Sequence, residues 1–205
     1  MLFALSTGPL LGITAALNQR KWPDYILSLF ALVGISVPSF FLAPLLLVLL
    51  SIKLNIFPIS GADDGFISVI LPSLSLGTAL AAMLARMSRA SMLEVLSQDY
   101  IRTAKAKGLS SKEVFFKHAL KNALIPIITL ASLQFGAILA GTVITEKIFN
   151  WPGIGLLLLE SIQKLDFPMV QGCVLFIAFF YALINMLTDI LYSFIDPRMQ
   201  MGSKK

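Results

Sequence analysis

Residues 68–85 of this chain have the sequence SVILPSLSLGTALAAMLA. The stretch contains no charged side chain, and its 18 residues come close to the roughly 20 that a helix needs to cross the hydrocarbon core of a bilayer. Small residues recur along it, and small side chains let helix backbones approach closely within lipid. We therefore expect a transmembrane helix that lies inside a helical bundle.

Further apolar runs lie on both sides of this stretch. Hydrophobic residues make up 57% of the chain and charged residues 13%, whereas a soluble domain is about half apolar and about a quarter charged. We predict an all-α, polytopic transmembrane bundle that forms a single domain over residues 1–205. Its five or so spans are predicted at residues 2–17, 25–52, 68–85, 123–145 and 169–195.

The basic residues indicate how the chain is oriented. Thirteen of the 16 lysines and arginines lie in the turn at 18–24, in the polar stretch 86–122 or in the C-terminal tail. Cytoplasmic loops of membrane proteins carry an excess of such residues, so these three segments are predicted to face the cytoplasm. Because the charges flank apolar spans and form no soluble basic face, the net charge of +5 does not indicate nucleic-acid binding.

The polar stretch 86–122 is more specific than a simple connector requires. Residues 91–107 are predicted to be helical, and Gly108 supplies the left-handed position that often ends a helix. Residues 110–113, SSKE, form a capping box that starts a new helix running toward Pro126. The residues expected on one face of the first helix are Leu93, Leu96, Tyr100 and Ala104.

This loop resembles the coupling-loop signature of bacterial ABC-importer permeases, and in detail that of their dipeptide/oligopeptide/nickel subfamily. The segments that carry the resemblance, in chain order, are SMLEVL (91–96), DYIRTAKAKGLS (99–110), HALKNALIP (118–126), WPGIG (151–155) and DPR (196–198). The general permease motif begins with Glu-Ala-Ala, where this chain has Arg102, Thr103 and Ala104. That departure is usual for the peptide subfamily.

The resemblance implies a permease subunit of an ATP-driven importer in the bacterial inner membrane. Its implied partners are two cytoplasmic ATP-binding subunits, a second homologous permease, an external solute-binding protein and the lipid bilayer. The small residues Ala104 and Gly108 would allow close approach of an ATPase, and the basic residues would add charged contacts. The residues implied in ATPase docking are Tyr100, Arg102, Thr103, Ala104, Lys105, Ala106, Lys107 and Gly108.

Several questions stay open at this point. The solute could be a dipeptide, an oligopeptide, a nickel chelate or glutathione. The subfamily has six spans and a long external segment after the first, and this chain starts within what resembles the second span. It could therefore be an inactive or truncated permease fragment. Candidate gate or hinge residues are Pro38, Pro44 and Pro126, because proline removes a backbone donor and can kink a helix.

A search for catalytic motifs indicates that the chain is not an enzyme. It contains no phosphate-binding loop of the G-x-x-x-x-G-K-[ST] type and no H-E-x-x-H or G-x-S-x-G motif. Its single histidine, His118, lacks the Cys or Glu partners of a closed metal site, so no cofactor or metal is expected. A membrane-embedded enzyme is thus disfavoured, and a passive channel would not need the helix–glycine–helix loop. Three acidic residues on the predicted external side could line the entrance or contact the binding protein, but ordinary solvated charges are the favoured interpretation: Glu146, Glu160 and Asp166.

Overall fold

The computed structural model describes residues 1–195, and all of the regular secondary structure in this part of the chain is helical, with no β-strand. The predicted all-α class is therefore confirmed for the described residues. The elements in chain order are α1 (Leu2–Leu17), α2 (Trp22–Ser36), α3 (Ser39–Leu46), the π-helical turn π1 (Leu47–Lys53), α4 (Phe66–Ser97), α5 (Asp99–Ala106), α6 (Ser111–Glu113), the π-helical turn π2 (Val114–Leu120), α7 (Lys121–Gly141), α8 (Val143–Phe149), α9 (Ile154–Gln163) and α10 (Phe167–Ile195).

Three of the described helices are long and apolar enough to cross a membrane: Phe66–Ser97, Ser111–Gly136 and Phe167–Leu191. The pair formed by Trp22–Ser36 and Ser39–Lys53 makes a fourth if it is one bent span. Helix α1 has 16 residues, fewer than the roughly 20 that a helix perpendicular to the bilayer needs. The multi-pass helical bundle is thus confirmed, while a count of five spans stays a prediction.

Helix α4 is the centre of the bundle and packs against α1, α2, α3 and α7. This confirms that the small-residue stretch 68–85 lies inside. At the crossing with α1, a Cβ atom on Gly8 would lie 2.7 Å from the carbonyl oxygen of Ala81. A Cβ atom on Gly12 would overlap the carbonyl oxygen of Ala85. The two helix backbones therefore touch directly, as small residues permit in lipid.

The second predicted span, residues 25–52, is broken in the structure. Helices α2 and α3 meet at an angle of 98°, with Val37 and Pro38 in extended conformation between them. Proline disfavours a helical conformation in the residue before it and cannot donate a hydrogen bond to the preceding turn, so the helix ends there. By contrast, Pro44 lies inside α3 and Pro126 inside α7 without such a break.

The cytoplasmic loop predicted at residues 86–122 is largely helical. Helix α4 continues past Ala85 to Ser97, which makes it 32 residues long, or about 48 Å at 1.5 Å per residue. The hydrocarbon core of a bilayer is only about 30 Å thick, so the last turns of α4 extend beyond it. The prediction of one helix over residues 91–107 is wrong, because Gln98 is extended (φ −69°, ψ 148°) and separates α4 from α5.

Candidate functional site

The break at Gln98 gives α5 its own direction and two different faces. Ile101 is fully buried and Ala104 is 6% exposed, and both pack in a cluster with Met92 at the end of α4 and Val114 in π2. The prediction that Tyr100 shares one helix face with Leu93 is therefore wrong, because Tyr100 is 41% exposed. The buried cluster explains the break, since a straight helix would carry Ile101 away from Met92.

The outer face of α5, taken here to include the two residues that follow the helix, consists of the remaining docking candidates, all of which are exposed: Arg102, Thr103, Lys105, Ala106, Lys107 and Gly108. The Ala104 methyl group points instead into this chain's own core. Its small size thus lets α5 pack against α4. The expectation that Ala104 allows close approach of an ATPase is therefore wrong for this side chain, because it is buried within its own chain. Arg102 lies 3.5 Å from Asp99, but both side chains are at least three-quarters exposed, so the contact contributes little.

The two lysines of the outer face, Lys105 and Lys107, form no ion pair within residues 1–195. They leave positive charge facing away from the bundle. Such a surface attracts a partner that presents acidic groups, because complementary potentials steer and orient association.

The turn after α5 has the geometry that the sequence predicts. Gly108 adopts a positive φ of 81°, and a Cβ atom there would meet no other atom within 4 Å. The capping box is also confirmed, since Ser110 Oγ accepts from the Glu113 backbone N–H at 3.3 Å and Glu113 Oε2 accepts from the Ser110 N–H at 3.2 Å.

Two hydrogen bonds join α5 and the end of α4 to α7. In the first, Asn122 Nδ2 donates to Tyr100 Oη at 2.9 Å. The same Nδ2 atom also donates to the carbonyl oxygen of His118, four residues earlier, at 3.1 Å. Ser91 Oγ donates to the carbonyl oxygen of Ala123 at 3.0 Å in a buried setting. Tyr100, predicted only as a docking residue, therefore also connects α5 to the first turn of α7.

One ion pair that the sequence did not indicate anchors the turn between α1 and α2. Asp24 accepts from Arg89 Nε at 2.6 Å and from Arg89 Nη2 at 2.8 Å, and it also accepts from the backbone N–H of Arg20 at 3.0 Å. The side chain of Asp24 is 3% exposed and that of Arg89 is 33% exposed. The two residues are 65 positions apart, and the only signal in the sequence is that both lie beside spans on the same predicted side of the membrane.

At the opposite end of the bundle, Glu146 is buried, and the expectation of a solvated charge is wrong for it. Glu146 is 8% exposed and accepts from Thr142 Oγ1 at 2.6 Å and from the backbone N–H of Leu156 at 2.6 Å. It thereby caps α9, and a Cβ atom on Gly153 would overlap its carboxylate. The glycines of the WPGIG segment thus make room for this carboxylate.

The other two acidic residues predicted on the external side, Glu160 and Asp166, agree better with the expectation. Glu160 is about half exposed on its side chain and pairs with Lys164 at 3.4 Å. Asp166 is exposed, and its Oδ1 accepts from the backbone N–H of Met169 at 3.1 Å in the first turn of α10. Glu160 also lines a pocket together with Leu156 and Leu157.

Comparison with known proteins gives one family and a set of close relatives. Residues 8–201 match the family described as binding-protein-dependent transport system inner membrane component. The chain is 45% identical over 200 residues to the glutathione transport system permease protein GsiC of Escherichia coli strain K12 and to that of Shigella dysenteriae serotype 1. The identity to the protein of the same name in Salmonella typhi is 44%. These alignments cover 98% of this chain but 65% of each relative, so the chain spans just under two thirds of their length.

Proposed function

Because the chain belongs to the family of binding-protein-dependent transport system inner membrane components, we propose that it acts as one permease subunit of an ATP-driven importer. The family match confirms the predicted resemblance to ABC-importer permeases. The observation that carries the proposed role is the short helix α5, whose inner face is buried in this chain and whose outer face is exposed and basic. We propose residues 1–205 as one permease domain.

The outer face of α5 is the proposed contact for a cytoplasmic ATP-binding subunit. Arg102, Lys105 and Lys107 would pair with acidic groups of that subunit, and Gly108 would end the helix without adding a side chain to the contact. Two such ATPases, a second homologous permease and an external solute-binding protein complete the proposed assembly. The permease itself would then hydrolyse no ATP.

The packing of α5 gives a physical route from the ATPases to the membrane. Ile101 and Ala104 join α5 to α4 through a buried cluster, and the Tyr100–Asn122 hydrogen bond joins it to α7. Close-packed interiors transmit displacement because they deform little. A movement of α5 would therefore carry α4 and α7 with it, as a rigid-body step between outward-open and inward-open states.

The 98° break at Pro38 supports a hinge role for this residue in the same motion. Helix α3 packs against both α4 and α8, so a change in the angle at Pro38 would move its contacts with both helices. Pro44 and Pro126 remain candidate hinge residues on the weaker ground that they lie within helices.

The proposed orientation places α5 and the C-terminus in the cytoplasm and makes the bacterial inner membrane the site of action. The supporting observation is the distribution of basic residues, together with the need for α5 to reach cytoplasmic ATPases. Residues 196–205, which include the DPR segment and the basic tail, lie outside the described residues.

For the solute we propose a short peptide, with glutathione as the first candidate. The support is the identity of 45% to permeases named for glutathione transport, and glutathione is itself a modified tripeptide. Dipeptides, longer oligopeptides and nickel chelates are the alternatives to be compared in the same uptake assay.

The proposed docking role is tested with Gly108→Leu. Leucine has open space at this position, so the substitution adds bulk to the proposed contact and costs about 1–2 kcal/mol for the left-handed backbone. The matched control is Gly65→Leu, because Gly65 also has a positive φ (63°) and open space around a Cβ atom, at the other end of α4. Co-purification of the ATPases and solute uptake are measured at equal expression.

We expect Gly108→Leu to lose both ATPase recruitment and uptake, while Gly65→Leu keeps both. If Gly108→Leu recruits the ATPases and supports uptake as well as the wild type, α5 is not the docking helix.

A further inference from the structure

A cavity of about 220 Å³ lies between α4, α7 and α8, at the end of the bundle opposite to α5. It is smaller than the roughly 300 Å³ at which pockets for whole small molecules begin. It can therefore hold one end of a small solute. The residues that give the cavity its chemistry are Ser73, Thr142, Thr145, Glu146 and Trp151.

The carboxylate of Glu146 is the one acidic group of this cavity, and it has no cationic partner among residues 1–195. No ion pair within 4.0 Å among the described residues involves it. The two hydrogen bonds that it accepts come from neutral donors, the Thr142 hydroxyl and the Leu156 backbone N–H. A carboxylate has about four lone-pair sites, so about half of its acceptor capacity stays free.

The hydrogen bond to the first turn of α9 explains the position of the Glu146 side chain. The same helix end compensates only part of the negative charge of the carboxylate. The N-terminus of a helix offers about half of an elementary positive charge. Buried charges in proteins are normally paired with an opposite charge or a metal ion, because burying one alone costs several kcal/mol. The remaining negative charge lies on a residue that is 8% exposed, and a cation that entered the cavity would stabilise it.

We propose that this cavity is a subsite for the ammonium end of a peptide-like solute, with Glu146 as its counter-charge. An ammonium group has three donors, and the carboxylate together with the hydroxyls of Ser73 and Thr145 offers enough acceptors. Trp151 lines the same cavity, and an indole ring attracts cations. The inference rests on the proposed function and adds the chemical class of the group that is recognised: a free, positively charged amino terminus.

The direct test uses the full chain in lipid nanodiscs and two probes that differ in one charge, dialanine and N-acetyl-dialanine. We expect the wild type to bind dialanine more tightly. Glu146→Gln should weaken dialanine binding about tenfold or more, which corresponds to about 1.4 kcal/mol, and should leave the acetylated probe unchanged. The matched control is Glu160→Gln, on the external side but outside the cavity, and it should bind both probes like the wild type.

Because Glu146 also caps α9, a second variant keeps the test decisive if Glu146→Gln does not fold. Ser73→Leu fills the cavity and leaves both hydrogen bonds of Glu146 in place, and it should also lower the affinity for dialanine. Equal binding of the two probes by the wild type, absence of binding, or unchanged selectivity in the folded variants would each overturn the subsite and leave Glu146 a helix cap only.

Uptake by the assembled importer separates this inference from the proposed function. If the chain, combined with its ATPases, second permease and binding protein, imports no peptide of either kind, the proposed function fails. If it imports peptides but Glu146→Gln leaves the ratio of free to acetylated uptake unchanged, only the subsite fails.

Discussion

The substitution Asp24→Asn is the sharpest test of how α2 and α4 are held together at the end of the bundle that carries α5. It keeps the size of the side chain but removes the charge that faces Arg89. In the wild type, Asp24 accepts two hydrogen bonds from the Arg89 guanidinium and one from the Arg20 backbone. The change would leave the guanidinium without a counter-charge at the contact between α2 and α4.

The size of the effect follows from the burial of the two partners. Removing one member of a fully buried ion pair costs about 3–5 kcal/mol. Asp24 is almost fully buried, but the Arg89 side chain is 33% exposed, and water partly solvates an unpaired guanidinium there. We therefore expect a loss of about 2–3 kcal/mol, below the fully buried range. For a chain of this length that loss lowers the melting temperature by about 4–12 °C.

The assay uses the single cysteine of the chain as its probe. Cys173 is buried in α10, so a thiol-reactive dye reports unfolding of the protein in detergent as the temperature rises. The matched control is Asp99→Asn, which removes the same charge from the exposed pair with Arg102 and should shift the melting temperature by less than about 2 °C, as expected for a surface pair.

The reasoning is refuted if Asp24→Asn destabilises the protein no more than Asp99→Asn does. A double-mutant cycle with Arg89→Gln adds a second criterion. Since both single changes remove the same interaction, the double variant should lose clearly less than the sum of the two.

Three further predictions concern the α1–α4 crossing, the Tyr100–Asn122 hydrogen bond and the cap of α6. Gly12→Leu should lower the melting temperature in the same assay, because the leucine side chain would meet the α4 backbone. Gly172→Leu, which adds a side chain in open space on α10, should not lower it, and equal effects of the two variants would contradict the close helix crossing. Tyr100→Phe removes the hydrogen bond from Asn122 at a cost of about 1 kcal/mol, and we expect fewer solute molecules imported per ATP hydrolysed; an unchanged ratio would exclude this bond from coupling. Ser110→Ala removes the cap in front of α6 and should cost about 1 kcal/mol, and a melting temperature equal to that of the wild type would show that the cap does not matter.

The features that could be predicted from the sequence depend on near neighbours. Gly108 ends a helix because it adopts a left-handed conformation at low cost, and Ser110 and Glu113 cap the next helix because they are three residues apart. The small residues of 68–85 placed α4 inside the bundle for a similar reason, since side-chain size is a property of each residue alone. These predictions needed no knowledge of the fold.

The features that could not be predicted depend on where distant segments meet. The break at Gln98 exists because Ile101 packs against Met92 and Val114, and the local sequence is compatible with one continuous helix there. The prolines of the span 25–52 predict a kinked or broken helix, but the angle of 98° at Pro38 is set by the packing of α3 against α4 and α8. The burial of Glu146 depends on the turn that brings the N-terminus of α9 onto it.

Apolar length, charge distribution and capping act within a few neighbouring residues, so the multi-pass membrane class and the helix–glycine–helix loop follow from the order of the residues alone. The buried and exposed faces of α5, the Asp24–Arg89 pair and the burial of Glu146 beside a cavity exist only in the folded chain. The physical reason is that a charge is paired or unpaired according to what surrounds it in space, and pairing across 65 positions is set by how α2 crosses α4.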